Sequence, residues 1–121
     1  MNKKFSILSF RYAFEGLVSA FKQEPNLKLH FFAGFLVLVL AFFLKLSKTD
    51  LITIIILIGL VITVELTNTA IESVVDGLTQ EKHPAAKIAK DISAGAVLIA
   101  SLTAFVCGIL IFTPYLIVAL S

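Results

Sequence analysis

Five polar side chains recur on one face of an otherwise apolar stretch, in the run ELTNTAIESVVD: Glu65, Asn68, Thr69, Glu72 and Asp76. At about 100° per residue they share an arc of roughly 100°, while Ile71, Val74 and Val75 point elsewhere. Carboxylates aligned in this way offer hard oxygen ligands, and Mg²⁺ is usually held by one or two carboxylates together with substrate phosphates. Helical rise sets Glu65 roughly 16 Å deeper than Asp76. The two ends of the face therefore meet different surroundings.

An acidic side chain at the centre of a membrane helix costs about 2.5–3.5 kcal/mol even on the lenient insertion scale. Helix glue explains Asn68 and Thr69, but it does not call for ionisable groups such as Glu65 and Glu72. Protonation, a lysine partner or a bound cation would compensate the cost. Other charges available are Glu24 and Lys28 before the first apolar block, and Lys87, Lys90 and Asp91 before the last. Glu24, Glu72 and Asp76 are candidate oxygen ligands, and Lys90 can meet phosphates as a point charge. Phosphoryl transfer asks for such a set, metal, positive charge, alignment and a group to take the acceptor's proton, and for no particular fold. The chain has no GxxxxGK followed by Ser or Thr, no GxGxxG, no HRD and no DFG, which excludes P-loop enzymes and protein kinases. From composition and spacing the reading stops at an intramembrane acidic site facing the cytoplasm.

The elements that must position these groups are apolar. Of 121 residues 59% are hydrophobic and only 15% charged, far from the balance of a water-soluble domain. Three blocks, 29–44, 51–75 and 92–120, are each long enough to cover a hydrocarbon core if Lys28 and Lys45 snorkel from the ends of the first. The spacing predicts membrane helices over 29–46, 51–76 and 92–113 within one domain, 1–121. Before them, Ile7, Phe10, Phe14, Leu17, Val18 and Phe21 form one stripe, predicting an amphipathic surface helix over 5–22. Pro25 ends it. Lys3, Lys4, Arg11, Lys22, Lys28, Lys82, Lys87 and Lys90 fall before the first span or between the second and third, against Lys45 and Lys48 in the other loop. Eight against two predicts a cytoplasmic N-terminus and second loop, with the C-terminus outside.

Asp50 or Thr49 is the expected N-cap of the second span. Gly77 should end that helix, helix should resume around Ala86, and Pro114 and Tyr115 should mark the far end of the third. Ala96, Ala100, Ala104 and Gly108 make a small-residue stripe that lets helices pack closely. It serves packing in the bundle, and oligomer assembly is expected through it. His30 reads as a snorkelling polar group and Cys107 as a packing or lipid-facing residue; there is no His/Cys zinc cluster.

The run ELTNTAIESVVD, followed by AKDISAGAVLIA, resembles the prokaryotic diacylglycerol kinase family, which includes the undecaprenol kinases. Its pattern is met at Glu65, Asn68, Thr69, Ala70, Ile71, Glu72 and Asp76, and the likeness extends from YAFEGL at residues 12–17 through the third span. The resemblance implies an all-α membrane protein, a homotrimer of three-span subunits each with a surface helix, in the bacterial cytoplasmic (inner) membrane. It implies transfer of the γ-phosphate of MgATP to a lipid hydroxyl. By that likeness Glu65 is the base that accepts the hydroxyl proton, with Lys28 beside it on the lipid side, and Glu24 and Glu72 are the Mg²⁺ ligands. Asn68 orients the site. Lys90 and Asp91 hold the nucleotide, joined by Tyr12, Glu81 and His83; an ordinary solvated loop is the alternative for the last two. EPNLKLH and KHPAAKIAKDISAGAVL lean toward undecaprenol, with diacylglycerol as the alternative. A proton-coupled small transporter and a non-catalytic scaffold are the rival classes, and nucleic acid is not an expected partner.

Overall fold

A computed structural model describes residues 5–79 and 83–121, and the side chains from Ile7 onward in the first of these segments. Lys3, Lys4, Glu81 and Lys82 lie outside the described residues. The described chain is helical: α1 (Phe5–Gln23), α2 (Pro25–Phe43), α3 (Lys48–Leu78) and α4 (Pro84–Ala119). The last three are long and apolar enough to cross a membrane. At 1.5 Å per residue α3 is about 46 Å long and α4 about 54 Å, so both outrun a hydrocarbon core of about 30 Å.

The helix boundaries follow local chemistry. Glu24 adopts an extended backbone before Pro25, which opens α2 at a position where its missing N–H costs nothing. α2 stops at Phe43, short of the expected 46, because the chain turns left-handed at Lys45, φ 56°. There Lys45 N–H bonds the Phe42 carbonyl and Leu46 N–H the Ala41 carbonyl, a Schellman closure without glycine. The N-cap of α3 is Ser47, whose hydroxyl accepts from Asp50 N–H at 3.2 Å, and not Asp50 or Thr49. α3 runs past Gly77 to Leu78, and α4 begins at Pro84, earlier than Ala86. α4 also continues through Pro114. Thr113 Oγ1 bonds the Ile109 carbonyl at 2.6 Å in the same turn, the kind of side-chain bond that lets membrane helices carry a proline.

α3 packs most extensively on α4 and then on α2, while α1 leans on the ends of α2 and α3. The buried centre is Ala41, Ile54 and Phe112, one residue from each spanning helix. α2 approaches α3 closely at Gly34, where a Cβ would come within 2.9 Å of Ile58 Cγ2. At the far end of the pair α3–α4, Tyr115 OH donates to Asp50 Oδ2 at 2.6 Å and accepts from Ser47 N–H at 3.0 Å. This clamps α4 to the α2–α3 connection, a role beyond the interface position read for Tyr115. Ala100 is buried within the chain, and Ala104 and Gly108 line a crevice between the helices. Ala100 is therefore unsuited to reporting on assembly, while Ala96 of the same stripe is exposed on the subunit.

Candidate functional site

The acidic face of α3 lies where α2, α3 and α4 converge toward the α3–α4 connection. Glu65, Asn68 and Thr69 are buried there, and Glu72 is half-buried. Counting rise from Lys48 puts Glu65 about 26 Å along α3 and Glu72 about 36 Å along it. With the start of α3 at one hydrocarbon boundary, Glu65 sits just inside the other and Glu72 just beyond it. On that placement the face would cross the boundary between lipid and headgroups.

Three cross-helix contacts fix the antiparallel register of α3 and α4: Asp50 with Tyr115, Asn68 with Ser93, and Asp76 with Lys90. The middle one is the buried one. Ser93 Oγ donates to Asn68 Oδ1 at 2.7 Å, which turns the Asn68 amide so that Nδ2 donates to Glu72 Oε1 at 3.2 Å. Asn68 therefore transmits the position of α4 to the Glu72 carboxylate. Thr69 does not reach a side chain; its hydroxyl bonds the Glu65 carbonyl at 3.0 Å and stays within its own helix.

Glu65 is only 3% exposed. Its Oε2 lies 3.8 Å from His30 Nε2 on α2, and Glu24 and Glu72 are the like charges near enough to act on it. Glu24, the N-cap residue of α2, does not use its side chain as a cap. Lys28, one turn into α2, is exposed and holds its ammonium 5.8 Å from the centre of the Phe21 ring, which itself meets Phe31 edge-on. These contacts join α1 to α2.

The other expected residues lie further out. Lys90 Nζ bonds Asp76 Oδ1 at 2.9 Å, and Asp91 pairs with Lys87 one turn back on α4. His83 is the N-cap of α4, its Nδ1 accepting from Ala85 N–H at 3.1 Å, a structural role that the sequence reading did not assign. Tyr12 is exposed on α1. Glu81 lies outside the described residues. Among the described residues, no three His, Cys, Asp or Glu side chains are gathered as a metal cluster. The structure thus assembles Glu65, Asn68 and Glu72 with Glu24 in electrostatic range, and leaves Tyr12, His83 and Asp91 peripheral.

Two residues were missed. Ser93 is the buried donor to Asn68, and its spacing from Lys90, three residues on one helix, was the available signal. His30, read as a snorkelling group, faces Glu65 and lines the head of an apolar crevice of about 470 Å³ between α2, α3 and α4, which runs past Gly34, Val61 and Ala104 to Phe112. Its seven-residue offset from Val37, which lines the same crevice, is the helical signal that would have found it.

The sequence profile described as prokaryotic diacylglycerol kinase matches residues 11–112. The undecaprenol kinase of Bacillus subtilis is 41% identical over 108 residues, covering 89% of this chain and 88% of that protein. A diacylglycerol kinase of Synechocystis sp. is 41% identical over 109 residues, 89% of this chain and 62% of that longer protein. The diacylglycerol kinase of Haemophilus influenzae is 38% identical over 94 residues, 78% of this chain and 80% of its own length.

Proposed function

Because the chain belongs to the prokaryotic diacylglycerol kinase family, we propose that it is a membrane lipid kinase that moves the γ-phosphate of MgATP to the hydroxyl of undecaprenol. The observation that carries the reading is the position of the acidic face. Its deep end, Glu65, is buried 3.8 Å from His30, which lines the head of an apolar crevice, and its shallow end, Asp76, is exposed and paired with Lys90 of α4. A lipid alcohol brings its hydroxyl to that boundary from the bilayer, and a nucleotide brings its phosphates from water. Both substrates are charged or tethered on opposite sides of one helix face.

In this reading Glu65 takes the hydroxyl proton as the oxygen attacks phosphorus. Lys28 stands beside the lipid headgroup region, and Asn68 holds Glu72 through its amide. The donor set fits Mg²⁺: Glu24 has a carboxylate not spent on capping, and Glu72 has one oxygen engaged by Asn68 and one left to ligate. When bound, Mg²⁺ neutralises charge on the transferred phosphates. Lys90 and Asp91 hold the nucleotide, with Tyr12, His83 and Glu81 around it. The Lys90–Asp76 pair is exposed, and exposed pairs are weakly held, so Lys90 is readily given up to a phosphate.

The proposal also takes in a homotrimer in the bacterial inner membrane, with the N-terminus and α3–α4 connection cytoplasmic. The exposed stripe Ile7, Phe10 and Phe14 on α1 supports a helix lying in the membrane interface. Purified protein should transfer label from [γ-³²P]ATP to undecaprenol in mixed micelles, and more slowly to diacylglycerol presented side by side. Faster labelling of diacylglycerol would reverse the choice of lipid. No labelling of either would remove the kinase reading.

A further inference from the structure

We propose that His30 is the proton relay of the site: it takes from Glu65 the proton that Glu65 draws from the lipid hydroxyl, and passes it to water. The inference rests on the lipid kinase reading above and adds to it a residue that neither the motif nor the family likeness singled out.

A base that is buried must be emptied after each turnover. The Glu65 side chain is 4% exposed, and Glu24 and Glu72, the charged groups nearest it on α2 and α3, are carboxylates engaged elsewhere in the reading. On α4, Ser93 is committed to Asn68 and Lys90 is paired with Asp76. On α1, Arg11 is paired with Glu15, and Arg11, Glu15 and Lys22 are all exposed. Among the described residues His30 is the one basic side chain within ion-pair reach of Glu65, and its ring is 24% exposed. It therefore lies within reach of the buried carboxyl while part of its ring stays uncovered by the protein.

The separation of 3.8 Å is somewhat longer than a hydrogen bond. Catalytic contacts are often long before substrate binds and tighten in the complex. The lipid O–H bond breaks as its oxygen forms the bond to the γ-phosphorus, and the bond from that phosphorus to the bridging oxygen breaks with its electron pair leaving on ADP. The proton goes to Glu65 Oε2, then to His30 Nε2, then from the imidazolium to water. Products are lipid phosphate, ADP and one proton, and both side chains return to their starting state. Imidazole suits the middle position because its ordinary pKa is near neutrality.

The test uses the full-length protein in micelles. His30→Ala and His30→Gln should each lower kcat at least about 100-fold, the lower end of the range for a lost proton-transfer group, with MgATP affinity within about twofold of wild type by calorimetry. Added imidazole should restore turnover to His30→Ala, in proportion to the free-base concentration, because it can enter the space the ring vacated. A histidine that only packs the crevice wall would give no such dependence. As a readout independent of turnover, the ¹⁵N signals of His30 should shift in Glu65→Gln while those of His83 stay in place. Wild-type turnover in His30→Gln, or a loss in His30→Ala that imidazole does not repair at any pH, would overturn the relay and leave the kinase reading standing. Absence of lipid labelling by the wild type would instead defeat the kinase reading itself.

Discussion

Removing the Ser93 hydroxyl should loosen the link between α4 and Glu72, and its size follows from the contact itself. Ser93 is buried and donates to Asn68 Oδ1 at 2.7 Å; in Ser93→Ala that oxygen loses its partner in a buried place. In water-soluble proteins an unsatisfied buried group costs about 1–3 kcal/mol. Membrane helices average about 0.6 kcal/mol for such bonds and reach about 1.7, because the reference state also finds partners. The upper part of that range, about 1–1.7 kcal/mol, is expected here, since Asn68 also serves the charged Glu72. The assay is a double-mutant cycle of Ser93→Ala and Asn68→Ala, read by reversible denaturation in mixed micelles and by MgATP affinity. The two single variants should cost similar amounts and the double little more, with coupling of about 1 kcal/mol and a matching several-fold loss of nucleotide affinity. Additive effects would refute the argument that Asn68 carries the position of α4 to Glu72.

Three further outcomes are expected. Lys45 holds a left-handed conformation at the close of α2, so Lys45→Gly should stabilise the protein by about 0.5–1 kcal/mol in detergent denaturation, relief of strain slightly exceeding the added chain entropy. Tyr115→Phe removes both bonds that tie α4 to Asp50 and Ser47 and should cost about 1.5 kcal/mol, with lipid kinase turnover at low temperature within about twofold of wild type because the clamp lies at the opposite end from Glu65. In a Cys107→Ser background, a cysteine at Lys48 should react with an impermeant thiol reagent in intact cells and one at Lys22 should not, as the lysine bias of the loops requires.

The helix count and the acidic face were legible because both rest on strong periodic signals: long apolar blocks, and Glu65, Asn68, Glu72 and Asp76 at helical spacing. Helix ends were less so. Asp50 looked like the cap, but its carboxylate is drawn to Tyr115 sixty-five positions away, which frees Ser47 for the task. Pro114 looked like a terminus, yet the helix continues to Ala119, with the Thr113 hydroxyl bonding the Ile109 carbonyl in the same turn. The partners of site residues were the hardest to read. Ser93 meets Asn68, and His30 meets Glu65, through tertiary packing of separate helices, and no periodicity within one segment encodes which faces will meet. His83 shows the converse: its capping of α4 is a short-range feature, set by its place just before Pro84.

The proposed division of labour along α3 is separated by one pair of variants. Glu72 lies about 10 Å nearer the end of α3 than Glu65 and is oriented by Asn68, whereas Glu65 is buried beside His30. Isothermal titration of MgATP into Glu65→Gln and Glu72→Gln, with label transfer to undecaprenol measured on the same preparations, separates their roles. Glu72→Gln should lose Mg²⁺-dependent nucleotide affinity and turnover together. Glu65→Gln should bind MgATP nearly as wild type does and transfer no phosphate, since a group that acts only on the acceptor's proton contributes to turnover and little to nucleotide binding. Equal loss of MgATP affinity in both variants, or full phosphate transfer by Glu65→Gln, would contradict the account.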